Sequence, residues 1–297
     1  MTERGPLYGL IGFPVLHSFS PAMHNAALRH LEMEGEYLLF EVAPQELEAF
    51  FDSETVRDAS GREIASAWIR GLNVTVPHKE RVLEYVQLDK ESFYLKHLGA
   101  VNTVAFRPEG RAGFNTDVPG FSWHLHQLDV SPAGKRTAVA GAGGAARAVC
   151  YALVQKQVRS LAIFDIKRGR AEEVTAMLRR ACPEFRGELT VADSVQGLNL
   201  KEKDLVVNAT PVGMKPGDPS PLPEDELHEE LFVYDLIYNP AETPLLAAAR
   251  RRGARGSNGL GMLLSQGALA FRHFTGERAP LEVMRQALLK EMEKKHG

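Results

Sequence analysis

Short apolar runs, each closed by glycine, proline or a small polar residue, alternate along this chain with stretches that mix apolar and polar residues. Leu7-Tyr-Gly-Leu-Ile-Gly-Phe13 has the length and continuous apolar character of a buried strand. Pro21 suits the first position of a helix with Ser20 as its cap, and Met23, Ala26, Ala27 and Leu31 give that helix an apolar stripe to about His30. Tyr37–Phe40 reads as a second strand and Pro44 onward as a second helix. Residues 52–66 are polar and read as a loop with a helix start. Gly71–Val76 is a strand that Pro77 stops. Alternation puts Val74 and Val76 on one face and Asn73 and Thr75 on the other. Lys79 falls at the opening of the next helix. Gly99–Phe106 and Arg111–Asn115 flank a Pro108-Glu-Gly110 turn, so they predict a hairpin. It ends in Asn115-Thr116-Asp117, where Asp117 can cap the helix that Val118 begins.

Ser131-Pro-Ala-Gly134 reads as a linker, after which the pattern is repeatedly strand then helix. The strands are Thr137–Ala140, Leu161–Asp165, Leu189–Val191, Leu205–Asn208 and Phe232–Asp235, with helices at Arg168–Ala181 and Thr243–Arg252 among them. That rhythm predicts an α/β protein of two domains: an N-terminal mixed-sheet domain and a doubly wound, Rossmann-like domain. A helix near Gly259–Phe271 puts Gly259, Met262 and Gln266 on one face. The amphipathic helix Leu281–Lys294 returns to the first domain. The expected limits are 1–117 with 257–297 for the first domain and 118–256 for the second.

Composition narrows the classes of function. The 297 residues, 44% hydrophobic and 25% charged, are ordinary for a globular enzyme, and a net charge of −3 with no basic block gives nucleic acid or a membrane surface no foothold. Cys150 and Cys182 lack metal-ligand spacing, and they read as one buried side chain and one surface thiol. No metal site is expected. With no export signal at Met1–Pro6 and no apolar run of spanning length, the expected setting is cytoplasmic.

The chemistry concentrates where strands end. After Thr137–Ala140 come Gly141-Ala142-Gly143-Gly144-Ala145-Ala146. There Gly141, Gly143 and Ala146 hold the three small positions of a dinucleotide fingerprint, with a helix N-terminus ready for pyrophosphate. Asp165 ends the next strand at the spacing of a ribose-binding carboxylate. The loops Asn208–Met214 and Asp235–Pro240, with Thr210, Leu236 and Tyr238, leave the carboxyl ends of the sheet, where open α/β folds bind ligands. Lys79 is badly placed for a helix dipole that favours anions at that end, which marks it for chemistry rather than stability.

Together, His17-Ser18-Phe19-Ser20-Pro21, Asn73-Val-Thr75-Val-Pro77-His-Lys79, Gly99-Ala-Val-Asn102-Thr103, Asn115-Thr116-Asp117, Gly141-Ala-Gly-Gly-Ala145, Asn208-Ala-Thr210 and Gly259-Leu-Gly-Met-Leu-Leu-Ser-Gln266 resemble the shikimate dehydrogenase family, in family order over nearly the whole chain. The resemblance implies a cleft between a substrate domain and a nucleotide domain. It also implies reversible hydride transfer between a nicotinamide cofactor and the C3 carbon of shikimate or 3-dehydroshikimate. Ser18 and Ser20 would bind the carboxylate. Asn73, Thr75, Asn102, Tyr238 and Gln266 would bind ring hydroxyls and carboxylate, and Lys79 and Asp117 would form the catalytic pair that exchanges the proton. The dinucleotide would lie on Gly141, Ala142, Gly143, Gly144 and Ala145, with Asp165, Arg168, Thr210, Leu236 and Gly259 around it.

One stretch departs from the family. Many members have Asn-Arg-Thr after the second nucleotide strand, the arginine gripping the 2′-phosphate of NADP; here Asp165-Ile166-Lys167-Arg168-Gly169-Arg170 stands there. A carboxylate accepts ribose hydroxyls and repels a phosphate, so NAD is the expected preference. Lys167, Arg168 and Arg170 keep NADP possible. Quinate, which carries one more hydroxyl beside the carboxylate, is the alternative substrate. Serine at both 18 and 20 resembles the shikimate-selective members, whereas an NAD-type pocket is commoner among quinate-oxidising ones. A sensor without turnover is the alternative of another class, and retention of Lys79 and Asp117 speaks against it. A folate dehydrogenase would lack the paired serines and the Asn-Thr-Asp match. The expected assembly is a monomer or homodimer.

Overall fold

The computed structural model describes residues 5–88 and 94–296. Residues 1–4, which begin the segment read as lacking an export signal, lie outside the described residues. In chain order the elements are β1 (Leu7–Gly12), α1 (Ser20–His30), β2 (Glu36–Glu41), α2 (Leu47–Asp52), β3 (Thr55–Arg57), β4 (Glu63–Ala65), β5 (Ile69–Val74), α3 (Leu95–Leu98), β6 (Thr103–Arg107) and β7 (Gly110–Phe114). Then follow α4 (Asp117–Gln127), β8 (Arg136–Ala140), α5 (Gly144–Gln155), β9 (Ser160–Phe164), α6 (Arg168–Ala181), β10 (Glu188–Val191), β11 (Leu205–Asn208), β12 (Phe232–Asp235), α7 (Pro244–Arg251), β13 (Arg255–Ser257), α8 (Leu260–Thr275) and α9 (Leu281–His296). Two compact units result. One holds the chain through Thr116 and from Leu264 onward, the other Asp117–Leu263. The division thus falls one residue before the expected 117 and inside α8 rather than at 257, because a continuous helix carries the chain across.

The first unit is built on a mixed sheet ordered β2-β1-β5-β6-β7, parallel from β2 through β5 and antiparallel beyond. Every residue of β1 is buried, as its apolar run requires. Gly12 lets the end of β1 approach β5 closely, since a Cβ there would sit 2.4 Å from Thr75 Cγ2. Helix α1 differs from the sequence reading in two ways. Phe19 takes the cap position and Ser20 opens the helix, its backbone N–H donating to Ser18 Oγ at 3.2 Å. The buried face carries Met23, His24, Ala27 and Leu28, so the stripe is rotated away from Ala26 and Leu31, and α9 packs against α1. The polar stretch 52–66 holds the hairpin β3–β4. Asp58 Oδ1 shapes its turn by accepting from the Ser60 and Arg62 N–H groups at 2.9 and 3.0 Å.

Strand β5 stops at Val74, and Val76, expected to share its buried face, is 64% exposed because the chain turns there toward Pro77. Lys79 lies in a turn before a single 3₁₀ stretch, Arg81–Tyr85, not in the first turn of an α-helix. The dipole argument made for it therefore loses its basis. The buried ring of His78 anchors this turn through Nε2 to Val42 O at 2.7 Å, and the Val101 N–H donates to Lys79 O at 2.8 Å.

The second unit is a wholly parallel sheet ordered β10-β9-β8-β11-β12-β13. This is the doubly wound order, with its reversal between β8 and β11. The sixth strand, β13, escapes sequence reading because Arg255-Gly-Ser257 is short and polar; register with β12 makes it a strand. Alanine, valine and leucine fill the core between sheet and helices. Cys182 is buried like Cys150 rather than on the surface, and burial pushes the Cys150 thiol up to about 12. Among the described residues no helix is long and apolar enough to cross a membrane, and no cluster of acidic, histidine or cysteine side chains could hold a metal.

Candidate substrate and dinucleotide sites

In the first unit part of the polar set singled out from sequence meets where β5 ends and β6 begins. Asn73 and Asn102 are buried there, Gln266 of α8 is half-buried, and a chain of hydrogen bonds links them. Asn102, 2% exposed, is the centre. Its Oδ1 accepts from the Thr116 N–H at 2.7 Å and the Thr103 hydroxyl at 3.0 Å, and its Nδ2 donates to Thr116 Oγ1 at 3.1 Å. The Thr116 hydroxyl reaches Gln266 Oε1 at 3.4 Å, joining α8 to the network. Asn73 sits on the opposite side, its Nδ2 facing Thr103 Oγ1 at 3.4 Å and its Oδ1 accepting from the Tyr37 hydroxyl at 2.8 Å. Backbone pairing sets this arrangement, since Val74 N–H donates to Asn102 O at 2.8 Å and Thr75 N–H to Ile11 O at 2.9 Å.

The sequence reading had nominated Asn73, Asn102 and Gln266 but not the groups that aim them, Tyr37, Thr103 and Thr116. The repeated Asn-Thr pairs at 102–103 and 115–116 carried a signal for the threonines. Tyr37 carried none, because a tyrosine within an apolar strand reads as core. Ser18 and Ser20 form a pair of their own, Ser18 Oγ donating to Ser20 Oγ at 3.2 Å beside the first turn of α1. Thr75 and Lys79 are half-buried in the turn after β5. Asp117 and Tyr238 belong to the second unit. Asp117 is buried at the start of α4, directly after the Thr116 that Asn102 grips, and burial raises the Tyr238 hydroxyl pKa above its ordinary value.

The second unit offers backbone instead. Gly141 has φ +102°, and a Cβ on it would lie 2.8 Å from the Ala209 carbonyl, so the turn after β8 passes hard against the chain leaving β11. Only glycine fits such a place without strain. A Cβ on Gly143, by contrast, would meet nothing within 4 Å. Gly143 caps α5 without a side-chain hydrogen bond, so the loop Gly141–Ala145 is a bare cradle at a helix N-terminus, and this chemistry suits a pyrophosphate. Asp165 stands beside it. Its Oδ2 accepts from the Ala142 N–H at 2.9 Å and its Oδ1 from the Lys167 N–H at 2.8 Å, which pins the carboxylate at the end of β9. Arg168 is engaged by Glu172 at 2.7 Å and by Asp193.

Thr210 and Leu236 are held by a buried set built on Asn208 and Asp235, with the Leu236 N–H donating to Asn208 O at 2.9 Å. Asn208 Oδ1 accepts from the Thr210 N–H and hydroxyl at 3.0 and 2.7 Å. Asn208 Nδ2 donates to Asp235 Oδ1 at 2.9 Å, and the Thr243 hydroxyl donates to Asp235 Oδ2 at 2.7 Å. Burial raises the Asp235 pKa, and these donors partly offset it. Gly259 allows another close approach, since a Cβ there would fall against the Leu236 carbonyl.

A profile described as the shikimate dehydrogenase substrate binding domain matches residues 10–104, and one described as the shikimate 5′-dehydrogenase C-terminal domain matches residues 259–289. A Methanopyrus kandleri protein named shikimate dehydrogenase (NADP(+)) is 43% identical over 96% of this chain and 95% of its own length. Among solved structures, the Listeria monocytogenes shikimate 5-dehydrogenase in complex with shikimate and NAD superposes with a TM-score of 0.82 at 32% identity, covering 97% of this chain and 98% of that one. A quinate dehydrogenase from Corynebacterium glutamicum in complex with NAD gives 0.84 at 31% identity, covering 96% and 99%. With relatives so alike from end to end, and with a hydroxyl-and-amide network in one unit and a glycine cradle in the other, this chain belongs to the shikimate dehydrogenase family.

Proposed function

We propose that this chain catalyses reversible hydride transfer between 3-dehydroshikimate and shikimate with a nicotinamide dinucleotide. The observation that carries the reading is the network of the first unit, in which hydrogen bonds run from Asn73 through Thr103, Asn102 and Thr116 to Gln266. A small polyhydroxylated ring is selected by hydrogen bonds that a wrong analogue leaves unmade, and rigid amides and hydroxyls serve that end. Ser18 and Ser20 bind the carboxylate with hydroxyl donors next to a helix N-terminus. Asn73, Thr75, Asn102, Tyr238 and Gln266 bind ring oxygens.

When bound, the nicotinamide supplies or accepts the hydride. Gly141–Ala145 and the N-terminus of α5 receive the pyrophosphate, Asp165 the adenosine ribose, and Thr210, Leu236 and Gly259 line the other half of the dinucleotide. Reduction of the ketone makes an alkoxide, and Lys79 delivers its proton. In the oxidative direction Lys79 takes the proton from the C3 hydroxyl. Asp117 is the second member of the catalytic pair.

For cofactor choice we propose NAD, on the strength of the Asp165 carboxylate fixed at the end of β9 and of Arg168 already engaged by two carboxylates. The names of the relatives, shikimate dehydrogenase (NADP(+)), favour NADP, and Lys167 and Arg170 are the cations available to it. Quinate stays the alternative substrate, by likeness to an NAD-bound quinate dehydrogenase. A cytoplasmic setting belongs to the same reading, supported by two buried free thiols. The test is an absorbance assay at the nicotinamide band, with shikimate or quinate against NAD or NADP. Highest kcat/KM with shikimate and NAD is expected. A higher kcat/KM with quinate replaces the substrate assignment, and a strong preference for NADP replaces the cofactor assignment. No turnover with either pair sinks the enzyme reading.

A further inference from the structure

Tyr37 is 2% exposed, inside β2, yet its hydroxyl is used. It donates to Asn73 Oδ1 at 2.8 Å, a bond that joins β2 to β5, segments that are distant in sequence.

A phenol has a single proton to give. Given to Asn73 Oδ1, it fixes that edge of the amide as the acceptor and leaves the Nδ2 protons on the other edge. There Thr103 Oγ1 and Asn102 O stand at 3.4 and 3.5 Å. These are long for hydrogen bonds, so Nδ2 is held loosely and can turn a proton to a ligand oxygen. The tyrosine ring is held flat by His24, whose ring lies parallel at 5° with centroids 4.3 Å apart. His24 is 1% exposed and neither of its ring nitrogens has a hydrogen-bond partner among the described residues, so it serves as a neutral packing plate.

We propose that Tyr37 is a positioning residue for substrate binding, its hydroxyl holding Asn73 Oδ1 as the acceptor and presenting the Asn73 amide to the substrate as a hydrogen-bond donor. The ligand group it selects is an oxygen that accepts, a ring hydroxyl or ketone. This rests on the reading above, in which Asn73 contacts substrate.

Tyr37→Phe keeps the ring and its stack on His24 and removes only the hydroxyl. KM for shikimate is expected to rise about tenfold while kcat falls less than about threefold, as loss of one buried partner implies. In an Asn73→Ala background the same change is expected to have no further effect on KM. An unchanged KM in Tyr37→Phe, with Asn73→Ala raising it, overturns the proposal and leaves the substrate site standing. An unchanged KM in both overturns the Asn73 assignment and the proposal with it. A full Tyr37→Phe effect persisting in the Asn73→Ala background also overturns it, since a purely structural hydroxyl behaves so. Asn73→Asp gives an independent reading if Tyr37→Phe does not fold. It keeps the acceptor for Tyr37 and loses the donor edge, so KM should rise as far as in Asn73→Ala, and a wild-type KM overturns the proposal.

Discussion

The two units offer different materials for the proposed sites. In the first, the proposed recognition rests on side chains. Asn73, Asn102, Thr116 and Gln266 are buried or half-buried polar groups joined, with Thr103, in one chain of hydrogen bonds. In the second, the proposed recognition falls to the backbone. Gly141, Gly143 and Gly259 matter for the atoms they lack, and Asn208 and Asp235 are buried to hold loops in place. The difference follows from the ligands. A pyrophosphate is bound through charge and N–H groups that any sequence can supply once the chain bends correctly. A hydroxylated ring must be told apart from near copies, and only placed side chains do that.

This contrast can be broken by experiment. Lys79→Ala should have the largest effect, lowering kcat by about 10²–10⁴-fold with a smaller change in shikimate KM; near-normal turnover removes Lys79 from the chemistry. Next is Gly141→Ala, where a methyl meets the Ala209 backbone in a conformation with φ +102°. It should destabilise the protein by about 1–3 kcal/mol and weaken dinucleotide binding about tenfold or more. Isothermal titration with NAD and NADP checks this, and unchanged binding would show that the loop is not a cradle. Asp165→Asn should then shift the ratio of kcat/KM values toward NADP by about tenfold, the scale of one charge contact. A constant ratio would assign cofactor choice to the neighbouring cations.

The smallest expected effect concerns pH. Burial lowers the His24 pKa from 6.5 to about 3. A folded-state pKa below the unfolded one contributes stability that is complete above pH 6.5 and is lost as pH falls toward 3, because the unfolded chain takes up a proton that the folded one refuses. Urea unfolding at pH 7 and pH 5 should show this limb, with a slope of at most about 1.4 kcal/mol per pH unit. His24→Phe should flatten it. An identical slope in that variant would mean that other groups set the acid sensitivity.

The second unit was the more legible in sequence. Its strands, the helix at Arg168–Ala181 and the glycine turn after β8 lie within a residue of their expected places, because strand period and turn glycines are local signals. Only β13 escaped, since its strand character comes from pairing with β12. The first unit was read less completely. The β3–β4 hairpin was taken for a loop and helix start, the buried face of α1 was rotated, and Lys79 proved to lie in a turn. Polar residues in short segments give no period to read, so tertiary pairing decides their form.

By itself, the order of residues determined the α/β class, the alternation that yields two sheets, and the identity of the chemical groups: paired serines, two asparagines, a lysine, and a glycine turn beside an aspartate. These depend on composition, period and turn chemistry within a few residues. Only the tertiary structure decided which polar atoms meet. Tyr37 bonds Asn73 across β2 and β5, Asn102 bonds Thr116, and Asp235 bonds Asn208 and Thr243 because strand register and helix packing bring distant segments together. Hydrogen-bond partners act over about 3 Å, and no local pattern in a chain fixes a distance that short between residues far apart along it.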